Sequence, residues 1–173
     1  MNKIIIPFLV LIFIFVGCTR SDDKEAEKYI KESNVLRSEK KYEEAIKTLK
    51  YIKMNYPRSK YWEQIDSEIR EIEAESLYTE SVENYREKKI TLTINILNKI
   101  VTQYKDTKYF KLAKRDLNFI NEEIKKLWDD YYKTKEQKDY NKCIEILKEL
   151  NHYVPDPKIT EEYKEIQKKL QAK

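Results

Sequence analysis

Two thiols, one imidazole and many carboxylates make up the reactive groups of this chain, and almost none of them stand where chemistry needs them. Cys18 and Cys143 are the cysteines and His152 is the single histidine. A metal site asks for several His, Cys or carboxylate ligands at short, recurring spacings, and no such spacing is present. His152 stands beside Val154-Pro155, at a helix end, and reads as surface packing. No serine lies in a Gly-x-Ser-x-Gly turn, and a chain with one glycine, Gly17, has no glycine-rich loop to cradle a phosphate. The acid pairs Glu122-Glu123 and Asp129-Asp130 fall in helical stretches and read as solvated faces. The expectation is a protein that is not an enzyme, with no cofactor, no metal and no small-molecule substrate.

Cys18 is the exception, because of what precedes it. Residues 1–18 read MNKIIIPFLVLIFIFVGC. Lys3 supplies a positive start, and Ile4 to Val16 is an uncharged apolar run of thirteen residues. As a helix that run would span about 20 Å, short of the roughly 30 Å of a hydrocarbon core. It has the length of a signal-peptide core. The strongly polar TRSDDKEAEK follows.

The tetrad Phe15-Val16-Gly17-Cys18 resembles the lipobox of bacterial lipoproteins. The resemblance implies that residues 1–17 are a signal peptide, that Cys18 carries acyl chains, and that residues 18–25 are a polar tether to a lipid bilayer. Two or three acyl chains give stable anchoring. In enteric bacteria an Asp after the Cys retains such proteins at the inner membrane. Thr19 stands there, which favours the periplasmic face of the outer membrane over the inner membrane or the cell surface. With Cys18 acylated, Cys143 has no partner for an intramolecular disulfide.

The remaining chain must be helical. Charged residues make up 38% and hydrophobic residues 40% of the sequence, with four prolines; such a mixture favours long amphipathic helices. Once Gly17 is removed no glycine is left, so any backbone position needing φ > 0 is expected to be hard to build. The net charge of +4 comes from 35 basic and 31 acidic residues whose signs interleave. No basic stripe of the kind nucleic acid requires stands out, and no nucleic-acid partner is expected.

Three segments repeat. Tyr42, Ala45, Leu49 and Ile52 lead to Tyr56-Pro57; Ile90, Thr93, Leu97 and Ile100 lead to Tyr104; Tyr140, Cys143, Leu147 and Leu150 lead to Val154-Pro155. Ala45, Thr93 and Cys143 lie 48 and then 50 residues apart. Within each segment the apolar residues fall on one helical face, and proline stops the first and third. Between them run two stretches free of Gly and Pro. In 108–138 a stripe of Ala113, Leu117, Ile120, Ile124, Leu127 and Tyr131 can bury against a neighbour. In 60–88 the stripe Ile65, Ile69, Ile72 changes phase to Tyr78, Val82, Tyr85, which predicts a bend or break near Ala74 to Ser76. Stacked antiparallel hairpins would bury every stripe.

The pattern resembles the tetratricopeptide repeat: a small residue on the second helix, a large apolar residue four later and Pro twelve later. Ala45, Leu49 and Pro57 fit, as do Cys143, Leu147 and Pro155, and Thr93 and Leu97 fit in part. Tyr42 and Tyr140, three before the small residue, complete the signature. The small-residue position on the first helix aligns with Ser33, Ser81 and Tyr131, the last too large for close helix approach. The period exceeds the family's usual ~34 residues, so the first helices of the second and third units should be lengthened. The resemblance implies an all-α solenoid over 26–173, with units 26–59, 60–107 and 108–157 and a C-terminal helix 158–171.

A lipidated Cys, a short tether and Tyr42, Ala45, Leu49, Tyr56, Pro57, Ser59 and Tyr61 together resemble the BamD family, the lipoprotein of the outer-membrane β-barrel assembly machinery. That resemblance implies a cell-envelope scaffold whose partner is a protein, a component of outer-membrane protein assembly. A surface-exposed lipoprotein binding a host or environmental ligand is the alternative. The fourteen tyrosines and two tryptophans suit an interface, because each joins apolar area to a polar tip. Tyr29, Tyr61, Trp62, Tyr78, Tyr85 and Trp128 are the expected lining of a partner groove, with Tyr109 and Tyr132 beside them.

Overall fold

The computed structural model describes the backbone of residues 5–171 and the side chains of 21–171. Among the described residues every regular element is a helix. They are α1 (Ile5–Ser38), α2 (Tyr42–Asn55), α3 (Ile65–Arg86), α4 (Ile90–Gln103), α5 (Tyr109–Glu136), α6 (Tyr140–Tyr153) and α7 (Pro157–Gln171), with a single 3₁₀ turn at Trp62–Gln64. The chain divides into two compact units, Met1–Ser76 and Leu77–Lys173.

In the first unit α1 packs against α2. Ala26, Ala45, Leu49, Ile52, Ile65, Ile69 and Ile72 form its core. Arg37 closes it on the outside, its Nε donating to Glu75 Oε2 at 2.6 Å with Glu68 3.7 Å from the guanidinium. In the second unit α4 packs against α5, α5 against α6, and α6 against α7. Its last hairpin and α7 close over Tyr131, Cys143, Leu147, Leu150, Ile159 and Ile166.

Three helices share one length, 14 residues: α2, α4 and α6. Each buries the stripe expected of it, namely Ala45, Leu49 and Ile52, then Thr93, Leu97 and Ile100, then Cys143, Leu147 and Leu150. α3 and α5, with 22 and 28 residues, are much longer. At the exit of each short helix the next backbone N–H closes on the last turn: Tyr56 on Ile52, Tyr104 on Ile100, Val154 on Leu150. Pro57 and Pro155 then forbid continuation.

Three expectations need correction. Positive φ is not avoided: Lys40, Lys88 and Lys138 sit at φ 61°, 61° and 60°. Each stands two residues before a short helix and ends the preceding one with paired turn bonds. Lys40 N–H donates to the Arg37 carbonyl and Lys41 N–H to that of Leu36, both at 2.9 Å. The bonds repeat at Lys88 and Lys89, and at Lys138 and Asp139. These turns satisfy carbonyls left over at a helix end, and lysine tolerates the left-handed conformation at an energetic cost.

The break near Ala74 to Ser76 is absent. α3 runs through it, and Ala74 is fully buried. A phase change in the stripe requires only that the helix bury a different face. Beyond Ser76 the buried residues are Ser81 and Asn84, while Tyr85 is 40% exposed. The stretch 18–25, expected as a tether, is helical and continuous with α1. Tyr131, at the position where the first two hairpins have a serine, is fully buried. The side chains of residues 1–20, which include Cys18 and the expected signal peptide, lie outside the described residues.

Candidate binding cleft

The repeat-signature residues build the hairpins. Ala45, Leu49, Leu97, Cys143 and Leu147 are buried, and Tyr42 and Tyr140 lean half-buried on the two cores. Where the first-helix residue is small, the backbones meet closely enough for a direct bond. The Ser33 hydroxyl donates to the Ala45 carbonyl at 3.1 Å, and the Thr93 hydroxyl reaches the Ser81 carbonyl at 3.5 Å. Cys143 is a buried free thiol. Burial, with the Asp139 charge adding to it, pushes the thiol pKa up, so the reactive thiolate is disfavoured.

The expected groove aromatics divide between the units. In the first, Tyr29 is half-buried with its ring 4.9 Å from Tyr51 and 6.0 Å from Tyr56. Tyr61 leans on the core, and Trp62 is 38% exposed, its Nε1 donating to the Lys53 carbonyl at 3.2 Å. The hydrogen bond with Tyr51, and then burial, push the Tyr29 hydroxyl up to about 12.

In the second unit, Tyr78 packs 5.6 Å from Tyr109 and donates to Asp116 Oδ2 at 2.7 Å. Burial, then that carboxylate, push its hydroxyl up to about 12. Trp128 lies stacked on Tyr132 and edge-on to Tyr131, both at 5.8 Å. The Lys158 ammonium sits 4.7 Å over its ring.

Two of the expected residues open onto cavities: Tyr61 borders a hollow of about 170 Å³ in the first unit, and Tyr85 borders two in the second. One is a hollow of about 250 Å³ floored by Val82, Leu97, Phe119 and Ile120, with Arg86 and Asp116 at its rim. Phe119 is 57% exposed there, a large apolar surface left to water. The other is a wider depression of about 520 Å³ lined by Arg86, Lys88, Glu149, His152 and Tyr153. Tyr85 and Arg86 border both. The Thr91 hydroxyl, donating to the Tyr153 carbonyl at 3.2 Å, ties the start of α4 to the end of α6 beneath the depression. Burial first, then the neighbouring Tyr85 and Glu149, push the Tyr153 hydroxyl up.

Arg86 and Lys88 form no ion pair among the described residues and face one carboxylate, Glu149, so the depression carries more positive than negative charge. Together the hollows offer an apolar floor beside a cationic margin. That arrangement suits binding.

Of the residues around these two hollows, the sequence singles out Tyr85 as a groove candidate and passes over the rest. His152 was read as helix-end packing; it is exposed and lines the depression. Arg86 and Lys88 end α3 and its turn, Glu149 and His152 end α6, and Phe119 comes from the middle of α5. Residues so far apart along the chain carry no shared spacing, and Phe119 stands off the apolar stripe of its helix.

Among the described residues no three His, Cys, Asp or Glu side chains gather as a metal site, and no helix is long and apolar enough to cross a membrane. Compared with known proteins, the chain matches no family model, no curated protein and no solved structure.

Proposed function

We propose that this chain is a non-catalytic, lipid-anchored scaffold of the bacterial cell envelope that holds a protein partner in the cleft around Tyr85. The observation that carries the reading is the pairing of an apolar floor (Leu97, Phe119, Ile120) with unpaired Arg86 and Lys88, beside His152, across one shared wall. A fitting guest presents a large apolar side chain next to a carboxylate. Burying an exposed ring such as Phe119 gains roughly 25 cal/mol per Å² of apolar area, while the rim charges steer and orient the guest. Anchoring rests on the apolar run ending at Gly17-Cys18. The tetratricopeptide-like signature and the BamD-like motif around Tyr42–Tyr61 support a periplasmic scaffold, with a component of outer-membrane β-barrel assembly as partner.

A photo-crosslinking residue at Phe119, in native membranes, tests this. A discrete adduct, weakened when Arg86→Glu is added, supports the reading. An adduct as strong in the Arg86→Glu background, or none at all, removes the cleft from it. Mass spectrometry of the mature N-terminus decides the anchor independently.

A further inference from the structure

One end of the first unit collects aromatic and cationic side chains, of which Tyr29, Tyr56 and Tyr61 also pack on the core while Tyr51, Met54 and Trp62 stay exposed. The C-terminal turns of α2 and the loop after it lie alongside α1 around Asp23 and Tyr29. Lys60 N–H donates to Asp23 Oδ1 at 2.8 Å, and the Tyr29 ring meets those of Tyr51 and Tyr56. Met54 is 75% exposed, Tyr51 40% and Trp62 38%. Cations ride on the rings: Lys53 lies 4.4 Å over Trp62, Lys60 4.8 Å over Tyr61 and Lys28 5.8 Å over Tyr29. α1 continues without interruption through Cys18. Asp23 is five residues from Cys18, roughly 7.5 Å along the helix axis.

We infer that this end of the first unit is a membrane-contact belt, resting in the headgroup zone of the bilayer that holds Cys18. The inference deepens the reading of the chain as lipid-anchored and rests on it. A continuous helix is a stiff spacer, so an anchor at Cys18 brings Asp23, the loop 57–62 and Trp62 to the lipid surface. Tyr and Trp favour that zone because ring and polar tip are solvated on opposite sides. Lysines lay their methylene stems along apolar surface and keep the ammonium in water.

Charge does not explain the belt. Glu27 pairs with Lys31 at 2.8 Å and Asp66 with Lys53 at 2.5 Å. Asp22, Asp23, Glu25 and Glu63 nearly balance Arg20, Lys24, Lys28, Arg58 and Lys60 on the same stretches. A belt of this kind seats on neutral lipid and holds at high salt, unlike a polybasic patch.

The test uses the full chain purified from membranes and reconstituted into phosphatidylcholine vesicles with and without brominated acyl chains. Bromine quenches tryptophan only at close range, and the chain has two, Trp62 and Trp128. The expected result is quenching in wild type that is lost in Trp62→Phe and unchanged by high salt. Trp62 is exposed, so that variant should fold; circular dichroism checks it. Quenching equal in wild type and Trp62→Phe overturns the belt, as does quenching that appears only with anionic lipid. A photo-crosslinker at Met54 that captures a protein in place of lipid assigns the surface to a protein partner and overturns it as well. Protein that fails to float with the vesicles overturns both the belt and the anchoring. An unmodified Cys18 thiol overturns the anchoring and the belt argued from it, whereas unquenched Trp62 on an acylated chain overturns the belt alone.

Discussion

Ser33 and Tyr131 hold equivalent places in two hairpins, twelve residues ahead of Ala45 and Cys143, and solve the same problem in opposite ways. In the first unit the residue is small. Ser33 is buried, and its hydroxyl is spent on the Ala45 carbonyl directly across the hairpin. In the second unit the residue is a fully buried tyrosine whose hydroxyl passes out of the hairpin to Glu162 Oε2 on α7, at 2.5 Å. Lys135 binds the same carboxylate oxygen at 2.6 Å and Glu165 at 3.1 Å. Each hairpin packs under a third helix, but only the small residue keeps its hydroxyl within its own hairpin. The large one sends its hydroxyl to the third helix, which covers the ring with Ile159 and Ile166 and accepts its hydrogen bond.

The comparison breaks most sharply under truncation. Tyr131→Ala removes a buried ring and leaves Glu162 and Lys135 over a void, which should cost about 3–5 kcal/mol, as for other buried aromatics. Ser33→Ala removes one hydrogen bond and keeps the close approach, and should cost about 1 kcal/mol. Urea unfolding measures both, with Trp128 as a reporter beside Tyr131. Equal losses would mean that α7 is not what accommodates Tyr131.

The acid limb of stability sharpens the same contrast. Burial raises the Glu162 pKa, but hydrogen bonds from Lys135 and Tyr131 outweigh it and hold the carboxyl below its ordinary value. Hydrogen bonds from Lys169 and Lys135 lower Glu165 as well. A carboxyl with a depressed folded pKa adds stability above its unfolded pKa of ~4.3 and loses it as pH falls through the folded value. Lys135 is raised, its bonds to Glu162 and Glu165 overcoming the opposite pull of burial. Its share is present below ~10.4 and lost above. The α7 clasp should therefore hold from about pH 5 to 10 and weaken in acid. Glu162→Gln should cost about 1–3 kcal/mol at neutral pH and flatten the acid limb. A denaturant midpoint measured against pH in both forms checks it. A variant with an unchanged acid limb would place the dependence elsewhere.

These networks were hidden from the sequence for a definable reason. Apolar spacing at Ala45, Leu49 and Ile52, or at Cys143, Leu147 and Leu150, registers because period and burial belong to a single helix, and Pro57 and Pro155 mark where each helix ends. Glu162 and Lys135 are two ordinary helix-surface residues 27 apart; only folding makes them partners of Tyr131. The cleft around Tyr85 is assembled the same way, from the ends of α3 and α6 and the middle of α5. The continuity of α3 through Ala74 was missed because a stripe that changes phase looks the same whether the helix breaks or switches the face it buries. Glycine content misled about the turns: its absence was read as the absence of positive φ, while lysine supplies it three times.

Those three turns give the smallest effect, and they cut across the contrast between the units. Lys40 serves the first unit, Lys88 and Lys138 the second, with φ within a degree of one another. A side chain in the left-handed region costs about 1–2 kcal/mol through contact of Cβ with the backbone, and glycine escapes that penalty while adding freedom to the unfolded chain. Lys40→Gly, Lys88→Gly and Lys138→Gly should each stabilise by about 0.5–1 kcal/mol, visible as a higher urea midpoint at unchanged slope. Far apart in sequence, they should add. If Lys138→Gly stabilises less than Lys40→Gly, the turn before α6 is held by something other than its own backbone. The Asp139 side chain, which accepts from Lys142 N–H at 3.2 Å where Lys41 and Lys89 provide no such cap, is the group to remove next.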